Sequence, residues 1–331
     1  MPQYRYEPLA EGEIRIIELF PAKSSDDPIV VRVFKSDIFS KTTSKNAKRE
    51  DLRDVRGEKT LQIPREVDGG GKARGLVVSA DDGFMTGPPV DQGEGERPFK
   101  IEALSYVWGS EENPIHIHVV ANEEPEGLLD FEALTLEAPH RLWAPVTQNL
   151  AEALRYVRRP QSRYIWVDAL CINQADSQEK TIQVSNMGTV YRMADNVIVW
   201  LGLEDELTRR GMEYICYFGQ QILLDLGDPI SRNFRPRPGA EDITAGLLDK
   251  VLELEDYLVR DLIAVTSRPW FRRLWILQEI ALARTATVAL GTLEEAWDDF
   301  SRGFVGIYMK DKQCSSKEEV DLWDKHQGEL G

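Results

Sequence analysis

Glu279 stands in a run that otherwise reads as protein interior: residues 268–283 are RPWFRRLWILQEIALA. The apolar pattern predicts a helix over residues 270–283 that is hydrophobic nearly all round and therefore buried. On that helix Arg272, Trp275 or Ile276, and Glu279 fall at i, i+3 or i+4, and i+7, which is one face. Burying an ionised carboxylate costs several kcal/mol unless it is paired. Two readings satisfy this. One is a structural ion pair with Arg272, or with another arginine such as Arg141 or Arg284. The other is a reactive carboxylate held in a dry pocket, where its field acts most strongly.

A second carboxylate, Asp168, interrupts the apolar run YIWVDALCI of residues 164–172. It suits either the cap of a following turn or a place in a site. Asn173, Gln174 and Asp176 follow directly and have the same two uses. Cys171 lies between Leu170 and Ile172, which describes an inert core thiol better than a nucleophile. His116 and His118 alternate along a strand and point the same way, but no third ligand accompanies them and no metal is expected. The run Gly69-Gly70-Gly71-Lys72 lacks the spacing and the Ser/Thr of a phosphate loop. Ser105 has no Gly-x-Ser-x-Gly elbow around it. The tryptophans read mostly as core, and Trp108, at a strand end beside Gly109, suits either the core or stacking on a base.

The elements that must position these groups follow from periodicity. Residues 103–108 (ALSYVW), 164–172, 197–201 (VIVWL) and 287–290 (TVAL) read as buried strands. Residue 115–120 (IHIHVV) alternation reads as a hairpin partner. Helices are predicted over residues 147–159, with Asn149 and Glu152 as a capping box, and over residues 177–194, 247–266 and 270–283. Residues 233–239 (NFRPRPG) read as a loop. Alternation of strand and helix implies an α/β fold: a parallel sheet with helices on both faces, whose ligands bind beyond the carboxyl ends of the strands. Ser105, Trp108, Gly109, Asp168 and Asn173 all fall at such ends.

Three regions are expected. Residues 1–100 form a β-rich N-terminal extension packed on the core, with strands over residues 14–20, 29–34 and 76–80. Residues 41–56 are a charge run, and residues 68–74 and 81–98 are flexible connections. Residues 101–293 form the main domain, with an acidic insertion over 123–138 and a helical insertion near 203–266. Residues 294–331 form a helical tail.

The 331 residues are 42% hydrophobic and 29% charged, ordinary for a globular protein. A formal net charge of −16 disfavours general binding of nucleic acid or anionic membrane. Three cysteines make neither a disulfide framework nor a zinc pattern, no signal peptide is visible, and no apolar run is long enough to span a bilayer. A reducing, cytoplasmic setting is the expectation.

Taken together, the blocks ALSYVWG (residues 103–109), IWVDALCINQADSQEKTIQVSNMGTVYRMADNVIVWLG (165–202) and RPWFRRLWILQEIALA with the later LG (268–291) resemble the fungal heterokaryon-incompatibility (HET) domain family. Residues 4–20 (YRYEPLAEGEIRIIELF) resemble the segment that commonly precedes such domains. HET domains are associated with cell death when incompatible fungal cells fuse, and are similar to TIR domains. The likeness to TIR domains rests on Ala103-Leu104-Ser105-Tyr106 in the first strand, Asp168 at the second, and Trp275 and Glu279 at the separation of the TIR Trp-Cys-x-x-Glu pattern. Ile276 replaces the Cys, and residues 203–266 intervene. The fold implied is a TIR-like, flavodoxin-like sheet.

The resemblance implies an NAD glycohydrolase in which Glu279 is the catalytic carboxylate. Ser105, Tyr106, Trp108 and Gly109 would line the nucleotide pocket, with Asp168 and Asn173 at its rim. Arg272 or Arg273 would contact phosphate or orient Glu279, and Trp275 would lie at the substrate. NAD enters as substrate, no other cofactor is implied, and the active form would be a homo-oligomer. The resemblance also implies an alternative, a non-catalytic self-associating module that recruits partners in cell death.

Overall fold

The computed structural model describes residues 2–37, 99–120, 141–225, 233–240 and 256–314. The strand expected over residues 76–80, the segments 41–56, 68–74, 81–98 and 123–138, the first half of the helix expected over 247–266, and the tail beyond 314 lie outside the described residues.

The chain opens with an antiparallel hairpin, β1 (Glu13–Leu19) and β2 (Val30–Asp37). β3 (Ile101–Ser105), β4 (Ile115–Val120) and β5 (Arg141–Val146) follow, then α1 (Gln148–Val157). β6 (Arg163–Trp166) leads into a single turn, α2 (Asp168–Cys171), and the long α3 (Ser177–Met193). After β7 (Asn196–Trp200) come α4 (Glu206–Gln221) and a two-stranded ribbon of β8 (Ile222–Asp225) and β9 (Asn233–Pro236). α5 (Asp256–Thr266), a 3-10 turn (Pro269–Arg272) and α6 (Ile276–Ala281) precede β10 (Ala286–Leu290), β11 (Leu293–Ala296) and α7 (Trp297–Cys314).

Nine strands make one sheet in the order β11-β10-β7-β3-β6-β1-β2-β4-β5. Its heart is the parallel block β6-β3-β7-β10. Numbered along the chain, that block runs 2-1-3-4, a doubly wound order whose direction reverses between its first and third strands. The whole sheet is mixed rather than parallel, because β1 pairs antiparallel with β6 through Ile17 and Ile165. The N-terminal hairpin thus extends the same sheet. β1 (EIRIIEL) is buried on both faces over Ile14–Ile17 instead of alternating, although Glu13, Arg15 and Glu18 are charged. β5 (RLWAPV) is a strand that periodicity did not suggest; its Pro145 is tolerated because β5 is an edge. Asn233–Pro236, read as loop, pairs with β8.

Helices cover both faces of the parallel block. Ala103 is in register with Trp166 and with Val197, so those side chains share a face and Trp200 points to the other. Tyr191 of α3 packs edge-on against Trp166, while Tyr156 of α1 packs against Trp200. α1 is capped by Thr147, whose hydroxyl accepts from Leu150 N–H, rather than by Asn149. Asn149 instead donates to the Val107 carbonyl and accepts from Trp200 Nε1, tying the exit of β3 to the end of β7.

α4, α5 and α7 form a helical layer beside β10 and β11. α4 and α7 approach so closely that a Cβ on Gly219 would sit far inside contact with the Asp299 carbonyl, and one on Gly303 would meet that of Ile215. Only glycine at these crossing points permits this spacing.

Candidate functional site

The segment read as one helix over residues 270–283 breaks. Pro269 starts a 3-10 turn, Arg273 is extended at φ −84° and ψ 134°, and α6 begins only at Ile276. The break changes the partner of Glu279. On a continuous helix Arg272 lies within about 20° of Glu279 and Arg273 about 120° away. With the extended residue between, Arg273 turns inward, and its Nη2 donates to Glu279 Oε1 at 2.9 Å and its Nη1 to Oε2 at 3.2 Å. Arg272 is exposed.

Glu279 is 1% exposed and lies against the carboxyl end of β3. Ser105, the last residue of that strand, donates a short hydrogen bond to Glu279 Oε2 and accepts one from Trp270 Nε1 at 2.7 Å. A chain of donors therefore runs from indole to hydroxyl to carboxylate, with the guanidinium closing the other side. Ser105 and Trp270 are fully buried, so Arg273, one-fifth exposed, is the partner through which Glu279 communicates with solvent.

Asp168 sits at the end of β6, the neighbour of β3. Its Oδ2 accepts from Trp108 Nε1 at 2.9 Å and its Oδ1 from Ala169 N–H at 2.8 Å. Burial pushes the Asp168 carboxyl above its usual range, and these two donors and the charge of Arg273 pull it only part of the way back. The Tyr106 hydroxyl is buried beside this carboxylate without a well-formed hydrogen bond to it or to any other described residue. Burial and the Asp168 charge both push that phenol up, which keeps it a neutral donor. Tyr191 feels Glu279, Asp168 and Arg273 together, and its hydroxyl is anchored on the Leu104 carbonyl at 3.3 Å.

Ser105, Tyr106, Trp108, Asp168, Arg273 and Glu279 thus converge where the strand order reverses, and Tyr191 and Trp270 join them. Gly109 follows with φ +75° and with Asn149 Cβ only 3.3 Å from where its own Cβ would be, a corner that requires glycine. Three other expected residues are used differently or lie outside. Asn173 spends its side chain on an Asx turn to Ala175 N–H and its own N–H on Glu179. Arg272 is exposed and lies outside the cluster. Trp275 is 54% exposed, and its neighbours Leu274 and Leu277 are 81% and 66% exposed, so the apolar pattern here does not mean burial.

Sequence reasoning missed Trp270 and Arg15. Arg15, in β1, is 1% exposed and donates to Glu179 Oε2 at 3.0 Å and to the Cys171 carbonyl at 3.1 Å. Glu179 in turn holds Asn173 N–H at 2.7 Å, and Gln174 Nε2 reaches the Asp168 carbonyl at 3.0 Å. The N-terminal strand therefore fixes the loop that carries Asp168. The signal in the sequence was weak, because Arg15 is one of three charges, with Glu13 and Glu18, in this strand. Burial raises the Cys171 thiol to about 12, consistent with a core role. Among the described residues no group of three or more His, Cys, Asp or Glu side chains is arranged to hold a metal.

The model of the heterokaryon incompatibility protein family matches residues 102–279, which runs from β3 to Glu279 and covers more than half of the chain. The chain belongs to the HET family. It is 31% identical over 208 residues to heterokaryon incompatibility protein 6, OR allele, of Neurospora crassa. That alignment covers 57% of this chain and 28% of the relative, so the HET chain spans less than a third of the relative's length. No solved structure matches it. No described helix of this HET chain is long and apolar enough to cross a membrane.

Proposed function

We propose that this chain is a cell-death effector of fungal heterokaryon incompatibility that hydrolyses NAD at the nicotinamide–ribose bond. The observation that carries the reading is Glu279: a buried carboxylate fixed by Ser105 and Arg273 at the switch point of a 2-1-3-4 parallel block. The resemblance of Ala103–Tyr106, Asp168, Trp275 and Glu279 to TIR motifs points the same way, as does the family membership.

In this reading the substrate diphosphate draws Arg273 outward, which frees one oxygen of Glu279. Nicotinamide leaves as a neutral base, and the ribose carbon it leaves becomes oxocarbenium-like, as in glycoside cleavage. Glu279 stabilises that positive charge and holds the ribose hydroxyls, and low water content strengthens both effects. The Tyr106 hydroxyl, buried beside Asp168, donates to the substrate. Water then adds at the cationic carbon and releases a proton, so NAD and water give nicotinamide, ADP-ribose and H⁺.

A second reading is favoured by a different observation. Leu274, Trp275 and Leu277 expose an apolar strip on α6 and just before it, and such strips commonly mark contact surfaces. It supports self-association, with or without catalysis.

The test is incubation of the purified protein with NAD at several protein concentrations, following nicotinamide and ADP-ribose by chromatography. Turnover that vanishes in Glu279→Gln supports hydrolysis at this site, and a dependence on protein concentration that Leu277→Glu removes adds assembly. Absence of product in concentrated, self-associated protein rejects hydrolysis and leaves the scaffold reading.

A further inference from the structure

A cleft of about 730 Å³ opens at the opposite end of the sheet, lined by Lys100, Arg159, Arg163 and Arg284 and by the carboxylates of Glu102 and Asp195. Its residues stand at the starts of the parallel strands. Lys100 immediately precedes β3, Arg163 opens β6, Asn196 opens β7 and Thr285 immediately precedes β10. Ser105 ends β3, so the length of that strand, roughly 13 Å, separates this cleft from Glu279. The volume lies within the roughly 300–1,000 Å³ of small-molecule sites.

In a chain of net charge −16, the four cations of this cleft outnumber its two carboxylates and the adjoining Glu294, a small local excess of positive charge against the general field. The two carboxylates are already engaged. Glu102 accepts from Arg163 Nε and Nη2 at 2.5 and 2.6 Å and from Asn196 Nδ2 at 3.2 Å. Asp195 Oδ2 accepts from Ile101 N–H at 2.8 Å. Arg163 is also fixed by the Val157 carbonyl at 2.7 Å and is largely buried. Arg159 leans on Glu294 but remains 41% exposed, and Lys100 is exposed. Arg163 spends Nε, Nη1 and Nη2 on these partners, so the more exposed cations beside it supply the charge and donors for a compact anion, the chemistry by which Arg and Lys hold phosphate.

We propose that this cleft binds a phosphoanion carrying two or more negative charges, the chemistry shared by inorganic pyrophosphate and a nucleoside diphosphate. The site is separate from Glu279 and does not depend on what happens there. A neutral nucleoside lacks the group that the cleft reads.

The test is isothermal titration of the full chain with pyrophosphate and, separately, with ADP, at low and at physiological salt. Expected is one-site binding of at least one of the two, weakening with salt and retained in Arg273→Ala, which alters only the distant site. The double variant Lys100→Glu/Arg284→Glu should weaken it at least tenfold. Lys100→Glu alone, a change at an exposed residue that leaves the fold intact, should weaken it severalfold. ADP binding tighter than pyrophosphate, with adenosine silent, would support the proposal and narrow the ligand to a nucleotide. The proposal is overturned if neither anion binds at millimolar concentration, if citrate binds as tightly as pyrophosphate, or if charge reversal leaves the affinity unchanged.

Discussion

Arg273 Nη2 meets Glu279 Oε1 at 2.9 Å across a break in the backbone, where a continuous helix would have offered Arg272. Removing one member of a buried pair strands the other, typically at a cost of about 3–5 kcal/mol. Arg273→Ala should therefore lower unfolding stability by about 3 kcal/mol, less than the full value because Arg273 is partly solvated. Arg273→Met/Glu279→Leu should recover most of the loss, because neither charge is then left alone. Urea unfolding of the single and double variants measures both. Equal losses in the two would mean that the pair contributes through shape rather than charge.

Glu279→Gln keeps the shape and leaves an acceptor for Ser105, so it should fold with a melting temperature a few degrees lower and show no NAD turnover. Ser105→Ala removes the donor that aims the carboxylate and should lower kcat by about tenfold to a hundredfold with a small change in KM, because one positioning hydrogen bond is lost. Arg272→Ala changes an exposed side chain and should leave both parameters near wild type.

Arg15 and Glu179 give a pH signature. Burial alone would raise Glu179, but the hydrogen bonds and charge of Arg15 and the Asn173 N–H hold it below the usual carboxylate range. A carboxylate lowered in the folded state contributes stability at pH above its unfolded value and loses it as pH falls through the folded one. The stability difference between wild type and Glu179→Gln should accordingly be largest near neutrality and shrink on acidification below about pH 4. A constant difference from pH 7 to pH 3 would contradict this.

Asp168 has the opposite sign. Its carboxyl is raised by burial, so the folded state binds its proton more tightly than the unfolded chain does. Ionisation therefore opposes folding as pH rises through the unfolded and then the folded value. Relative to wild type, Asp168→Asn should gain stability as pH rises from 4 to 7, while NAD turnover falls. Thermal melts across that range decide it, and a flat difference would remove the burial argument.

The α4–α7 crossing predicts a packing cost. Gly219→Ala or Gly303→Ala would drive a methyl into a facing carbonyl and force the helices apart, with a loss of about 3 kcal/mol. Gly239→Ala, in open space at a turn, should cost much less, about 1 kcal/mol for its positive φ.

Much of the parallel block was legible because β-branched runs such as VIVWL are buried on both faces and end in turn residues. The gathering of Ser105 and Asp168 followed from strand ends, whereas Glu279, on a helix, was joined to them only by the resemblance to TIR motifs. What escaped did so for physical reasons. β5 carries Pro145, which reads as a breaker until the strand is known to be an edge. Residues 270–283 are apolar enough to suggest burial, yet Leu274, Trp275 and Leu277 face solvent, and a single extended residue at Arg273 shifts the pairing register by one. Trp270 donates to Ser105 from a 3-10 turn that no periodicity announces. Arg15 looked like an ordinary charge in a strand, because its partner Glu179 is distant in sequence.

β1 lies between β2 and β6, so its second edge is completed only when Ile165 reaches Ile17. During synthesis the hairpin leaves the ribosome long before β6 does, with one side of β1 unpaired. Such late, long-range closure is slow and exposes a template for pairing with other chains. Nascent chains should therefore need holding by chaperones until β6 emerges, and fragments that stop before Arg163 should aggregate where longer ones stay dispersed.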